Sequence, residues 1–164
     1  MSRRLPMFIV YLVLLLVGAV LVGAQFGLLR GTAPTNLGVR EGKLKPPSKT
    51  ENSVSSQARL WPDHPMQAYA DIAPLALLPA GGAATMTRLQ AVIAAMPGAR
   101  IESAQADYVY ARFETKVLKF VDDAEFWLDP AGNVVQVRSA SRLGRKDFGV
   151  NRARIEAIRR ALAA

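Results

Sequence analysis

Asp129-Pro130-Ala131-Gly132 separates two stretches of alternating polarity, and the turn it forms decides which side chains can share a surface. Asp at the first position, Pro at the second and Gly at the fourth are the preferences of a type I turn, the usual core of a four-residue hairpin loop. The turn predicts two strands with Leu128 opposite Asn133. Counting back, Phe126 faces Val135 and Ala124 faces Val137 on an apolar side. Trp127 faces Val134, Glu125 faces Gln136 and Asp123 faces Arg138 on a charged side. A slip of one residue would set Phe126 against Gln136 and Ala124 against Arg138, so hydrophobic pattern and turn chemistry agree.

Around this hairpin the chain supplies further elements. After Gly81-Gly82, Met86, Leu89, Ile93 and Met96 recur at helical spacing, with Thr85 or Thr87 as candidate caps and Pro97-Gly98 as the stop. Arg100–Ser103 reads as a strand. Asp107–Thr115 reads as a stronger one, with Val109, Ala111 and Phe113 alternating against Tyr108, Tyr110, Arg112 and Glu114. Asn151 is the expected N-cap of a last helix, with Val150 and Ile155 as a hydrophobic staple and Ile155, Ile158 and Leu162 as the buried stripe. Helix, four strands, helix with one apolar sheet face predicts an α+β domain, a four-stranded antiparallel sheet carrying both helices on one side. Met66–Leu78 is apolar without a clear period and is expected to pack on this domain in extended form or as a short strand.

The first thirty residues belong to a different environment. From Met7 to Leu29 the only polar side chain is Gln25, and 23 residues of helix reach about 34 Å, enough to cross a hydrocarbon core of roughly 30 Å. A cleaved signal peptide competes with this reading, because Arg3 and Arg4 form a basic start and Val22-Gly23-Ala24 resembles a cleavage site before Gln25. The apolar run outlasts the roughly 7 to 15 residues of such signals, so an uncleaved single-pass anchor in the inner membrane is expected over 1–30. A short linker, 31–36, and a domain from 37 to 164 follow, its 37–80 part an extended strap. Lys and Arg on both sides leave the orientation open to a simple count. A whole domain translocates largely regardless of charge, however, so the domain is expected outside the cytoplasm, in the periplasm of a cell envelope.

Composition removes several chemistries. There is no Cys, so thiolate sites and disulfides have no residues to build on, and the one His, His64 in Asp63-His64-Pro65, reads as a loop residue with no partner carboxylate or second His at ligand spacing, which argues against histidine metal sites and triads. Asp122, Asp123 and Glu125 would offer oxygens to a hard cation. Alternation splits Asp122 from the other two, and Arg138 opposite Asp123 would compete with the metal, so no metal or cofactor is expected. Ser139 and Ser141, between Arg138 and Arg142, lack a base and read as hydrogen-bonding residues. The charge is concentrated: of a formal net +8, Arg138 to Arg160 holds eight basic and two acidic residues. Arg142, Arg145, Lys146, Arg152, Arg159 and Arg160 are therefore candidates for anionic lipid headgroups beside the anchor, while no motif accompanies them that would suggest nucleic acid. On the outer sheet face Tyr108, Tyr110 and Trp127 join Asp123, Glu125 and Arg138 as a candidate binding surface, unless the strap covers them.

Three blocks, FVDDAEF from Phe120, RSASRLG from Arg138 and DFGVNRARIEAIR from Asp147, resemble the signatures of the mostly bacterial domain-of-unknown-function family numbered fourteen ninety-nine. LGVREGKLKPPSKTENSVSSQA, Leu37–Ala58, is similar to that family's N-terminal block, so the resemblance spans about 37 to 163. It implies that the Pro- and Ser-rich segment belongs to the domain as a strap across it. Ser53 stands where the family often has Cys, and Arg145-Lys146 where it often has Tyr-Ser. The resemblance implies no catalytic residues. Two function classes follow: a membrane-anchored, non-catalytic binding or accessory module of the envelope, which the residues favour, or a hydrolase-type enzyme using Asp122, Asp123 or Glu125. Ion-paired carboxylates under a strap would favour the first, a raised carboxylate pKa in an open cleft the second.

Overall fold

In the computed structural model residues 6–164 are described; Arg3 and Arg4, the expected basic start, lie outside them. The architecture is α+β with an N-terminal apolar helix, as the pattern predicts, but the antiparallel sheet has six strands where four were expected. Helix α1 (Met7–Gln25) is followed by β1 (Ser53–Ser55), a single turn α2 (Gln67–Ala70), β2 (Leu75–Ala76) and α3 (Gly82–Ala94). Then come β3 (Ala99–Ala104), β4 (Tyr108–Glu114), β5 (Val121–Asp129), β6 (Val134–Ser141) and α4 (Val150–Ala163). The order across the sheet is β1-β6-β5-β4-β3, with β2 also on β6. The two extra strands come from the segment before α3. Ser53–Ser55 pairs with Arg138–Ala140 and Leu75-Ala76 with Val134-Val135, so both lie along the same edge of β6. Strands of three and two residues carry too little alternation to be read from sequence.

Val109, Ala111, Phe113, Ala124, Phe126, Val135 and Val137 project from one sheet face into the core. Met86, Leu89 and Ile93 of α3 meet them there with Ile155, Ile158 and Leu162 of α4. The other face lies under residues 38–47, where Leu44 is 1% exposed and Pro47 is buried.

The hairpin departs from the predicted register by two residues. Phe126 pairs with Val137, Leu128 with Val135, Glu125 with Arg138 and Asp123 with Ala140. Asp129 closes the last pair, with Val134, so four residues form the loop. Its Oδ1 accepts the N–H groups of Ala131 and Gly132, each at 3.0 Å, and Asn133 takes a left-handed conformation, φ 52°. The turn is thus displaced toward Asn133. A two-residue shift preserves parity, so every side chain keeps its predicted face while its partner changes.

The helix starts also differ. Thr85 Oγ1 donates to Gly81 O and accepts from Leu78 N, and Thr87 Oγ1 donates to Ala83 O, so neither caps the N–H groups of α3. At α4 the capping carboxylate is Asp147, which accepts from the N–H groups of Gly149 and Asn151 at 3.1 and 3.0 Å. Asn151 lies inside the first turn, and Val150 is left 47% exposed, so the predicted cap and staple are replaced by an aspartate reaching across Gly149, φ 81°.

Helix α1 is long and apolar enough to cross a membrane, with a mean hydropathy of 2.8 and little of it covered by protein. It ends at Gln25, four residues before the apolar run does, because the N–H groups of Phe26 and Leu28 both turn back to Gly23 O. Its foot is tied to the domain: Gln25 Nε2 donates to Val117 O at 2.9 Å, and Arg30 pairs with Glu114 at 3.1 Å.

β3 carries an irregularity between Ile101 and Ser103, and Gly98, φ 72°, turns the chain into this strand. Glu114 N donates to Gly98 O at 2.8 Å, and a Cβ on Gly98 would run into Glu114 O. Gly98→Ala should therefore cost about 2 kcal/mol or more, read as a lowered denaturant midpoint, whereas Gly38→Ala, with open space around it, should cost less.

Candidate functional site

Asp122 and Asp123 are adjacent on β5, so strand alternation sends their carboxylates to opposite faces. Each meets an arginine brought by a different element. Asp123 Oδ1 and Oδ2 accept from Arg142, in the loop after β6, at 2.7 and 2.8 Å, and Oδ1 also accepts from Tyr110 Oη at 2.6 Å. Asp122, on the helix face, pairs with Arg154 of α4, whose guanidinium also lies 4.5 Å from the centre of the Phe113 ring. Both pairs are almost fully shielded from solvent. Charges held this way are costly to desolvate and costly to separate, so they act as positional locks.

On the strap face a second carboxylate, Glu125, is wholly buried. Its Oε1 accepts from Gly38 N and from Tyr108 Oη, both at 2.8 Å. Its Oε2 has no hydrogen bond and stands 3.8 Å from Arg138 Nη1. Arg138 in turn donates from Nε to Pro46 O at 3.1 Å. Arg138 and Glu125 are therefore the cross-strand pair, and the Asp123–Arg138 pairing read from the sequence is replaced by Asp123–Arg142. Desolvation pulls the Arg138 guanidinium below its ordinary pKa, with Glu125 and Asp123 opposing. The Arg142 guanidinium is held above its ordinary value, first by the hydrogen bond to Asp123. Tyr110 is pushed up to about 12 by burial and then by Asp123, and Tyr108 is raised by burial and then by Glu125, so both hydroxyls stay protonated donors. Lys45 of the strap is lowered by burial and by Arg138, which places its ammonium within the same field.

The helix face carries the second network. Asn151 Nδ2 donates to Asn52 O, Ser141 Oγ and Asp147 Oδ2, and its Oδ1 accepts from Ser139 Oγ and Arg154. Tyr69 Oη donates to Asp147 at 2.8 Å. Burial pushes the Asp147 carboxyl up, but the N–H groups of Asn151 and Gly149 and the Tyr69 hydroxyl outweigh it and bring it below the ordinary 3.8. The two serines are thus hydrogen-bonding residues.

Of the residues singled out from the sequence, Tyr108, Tyr110, Asp123, Glu125, Arg138 and Arg142 converge on the strap face, and the Trp127 ring extends toward Gly42 of the strap. Asn151 lies on the opposite face. Arg145 is exposed, Lys146 pairs with Glu51 at 2.9 Å, and Arg152 donates to Tyr69 O at 2.6 Å. Gly38, Lys45, Pro46, Tyr69, Asp147 and Arg154 complete the two networks without having been singled out. Arg154 alone had a legible signal, since it follows Asn151 by three residues and shares its helix face. Among the described residues no group of three or more His, Asp and Glu is arranged to hold a metal ion.

The sequence blocks around Asp122, Arg138 and Asn151 thus meet across the two faces of β5 and β6. The family described as "protein of unknown function (DUF1499)" matches residues 43–162. The chain belongs to this family. No curated protein and no solved structure matches it. In this DUF1499 domain the motif residues are joined to one another by hydrogen bonds and ion pairs.

Asp123→Ala and Arg142→Ala should each cost about 3 kcal/mol in chemical unfolding, and the double variant clearly less than the sum; Asp123→Ala with Arg138→Ala should come closer to additivity. A second outcome concerns acid. A carboxyl whose folded pKa lies below its unfolded value contributes stability that is present above the unfolded pKa and lost as pH falls through the folded one. The destabilisation caused by Asp147→Asn should therefore be largest above about pH 5 and shrink toward about pH 2, as unfolding at stepped pH would show.

Proposed function

We propose that this chain is a single-pass, membrane-anchored binding or accessory module of the cell envelope, without catalysis of its own, and that its domain lies outside the cytoplasm. What supports the non-catalytic reading above all is the state of the three carboxylates a hydrolase would need. Asp122 and Asp123 are each committed to a guanidinium, and Glu125 sits beneath the strap, bonded to a backbone N–H and a tyrosine hydroxyl. A general acid or base needs a carboxylate within reach of substrate. A nucleophile or metal-assisted site needs one with a free oxygen in an open cleft, and Glu125 Oε2, which has no hydrogen bond, is buried.

The anchor reading rests on α1: nineteen residues reach about 28 Å, close to the roughly 30 Å of a hydrocarbon core, and its side chains are largely exposed. A membrane supplies the apolar surroundings that such a surface needs. The C-terminal basic segment contributes less to the reading than its charge count, because Arg142, Lys146, Arg152 and Arg159 are committed to Asp123, Glu51, Tyr69 O and Pro74 O.

The test is fractionation with a topology reporter. The chain should stay with membranes through high-salt and alkaline washes, and Ala106→Cys, an exposed position in a protein with no native cysteine, should react with an impermeant maleimide in intact spheroplasts. Release into the soluble fraction with a new N-terminus at Gln25 would refute the anchor. Labelling only after lysis would refute the orientation.

A further inference from the structure

The foot of α1 adjoins a cavity of about 890 Å³ that none of the candidate residues above was chosen to line. Its wall is mostly apolar, from Met96, Pro97, Ala99, Phe113, Val150 and Ala153. Six cationic residues share the lining: Arg30, Arg100, Arg112, Lys116, Lys119 and Arg154. Glu114 is the only carboxylate there.

The cations are not fully neutralised. Arg30 and Lys119 share Glu114, Arg100 and Arg112 share Glu102, and Arg154 takes Asp122, so six cations face three carboxylates. Lys116 is exposed and, among the described residues, has no ion-pair partner. Arg112 Nε is buried and finds no aligned acceptor although the Glu102 carboxylate is adjacent. Glu114 registers the surplus: burial pushes its carboxyl up, yet Lys119, Arg30 and Arg112 together hold it below its usual range.

Position adds the second half of the argument. Arg30 lies five residues past the end of α1 and lines the cavity itself, while Gln25 pins Val117 in the turn that carries Lys116 and Lys119. With α1 across a bilayer, this end of the domain meets the headgroup layer. Exposed Phe26, Leu28 and Val117 surround the same foot, as apolar side chains at a membrane interface do. We propose that this cavity binds one anionic phospholipid of the membrane that holds α1, an acyl chain against Met96, Phe113 and Val150 and the phosphate among Lys116, Arg112 and Arg30. A soluble phosphate compound would use the cations and leave the apolar wall wet; a zwitterionic lipid would use the wall and leave the charge surplus unmet. The proposal rests on the anchor reading above.

The test uses the full chain in phosphatidylcholine nanodiscs doped with a phosphatidylglycerol probe bearing a diazirine at the end of an acyl chain, with the matching phosphatidylcholine probe as control. Photolabelled peptides are mapped by mass spectrometry. The phosphatidylglycerol probe should label both α1 and the cavity wall, the phosphatidylcholine probe α1 alone. Lys116→Glu, at an exposed position, should reduce wall labelling about fivefold or more. Ala153→Trp, which fills the cavity from α4, should abolish it, and labelling of α1 should be unchanged in both variants. Equal wall labelling by the two probes would overturn the proposal, as would label confined to α1 or competition by excess glycerol phosphate. Absence of label from α1 itself would instead overturn the anchor, and the lipid site with it.

Discussion

The pairing of two neighbouring aspartates with two distant arginines holds this domain's parts in register. Asp122 and Asp123 point to opposite sides of β5, so one fixes where α4 lies through Arg154 and the other where the loop after β6 runs through Arg142. Neither pair stands in water, and a buried ion left without its partner is among the costlier defects a small domain can carry, about 3 to 5 kcal/mol. An apolar interface tolerates sliding by a fraction of a side chain; a desolvated two-point contact such as Arg142 on Asp123 does not. The aspartate pair therefore specifies a single arrangement of sheet, helix and the loop after β6 where hydrophobic burial alone would admit several.

How much of this was legible in the sequence depended on the range of each interaction. Face assignment along β4, β5 and β6 followed from alternation and survived the register change, because a shift of two residues leaves parity untouched. Partner assignment did not survive it, because the loop is set by Asp129's bonds to two N–H groups and by Asn133's left-handed turn, a choice that Asp-Pro-Ala-Gly alone does not make. Asn151 looked like a cap by residue type, yet Asp147 does the capping and frees the asparagine side chain to join β6, the strap and α4. Gly38 and Pro46 use backbone atoms to reach Glu125 and Arg138 across more than eighty residues, and contacts of that kind leave no trace in side-chain pattern.

The foot of α1 shows the same limit from the other side. Hydropathy marks the apolar run, but the helix stops at Gln25 because backbone turns fold its last residues back on Gly23. The ties from Gln25 to Val117 and from Arg30 to Glu114 then join the foot of α1 to the domain, where the sequence suggested only a short linker over 31–36.

The sheet's two edges are treated differently, and this bears on association between copies. β1 and β2 both lie along β6, whereas β3 at the other end offers its free backbone groups to solvent. Under the anchor proposed above, copies would diffuse in two dimensions, where local concentrations are high and orientations already matched, which favours strand-to-strand annealing. β3 resists it: the irregularity between Ile101 and Ser103 breaks the regular spacing of its free groups, and Arg100 and Glu102 set charges along the same strand. Copies of the domain can thus lie side by side without this open edge zipping them into fibres.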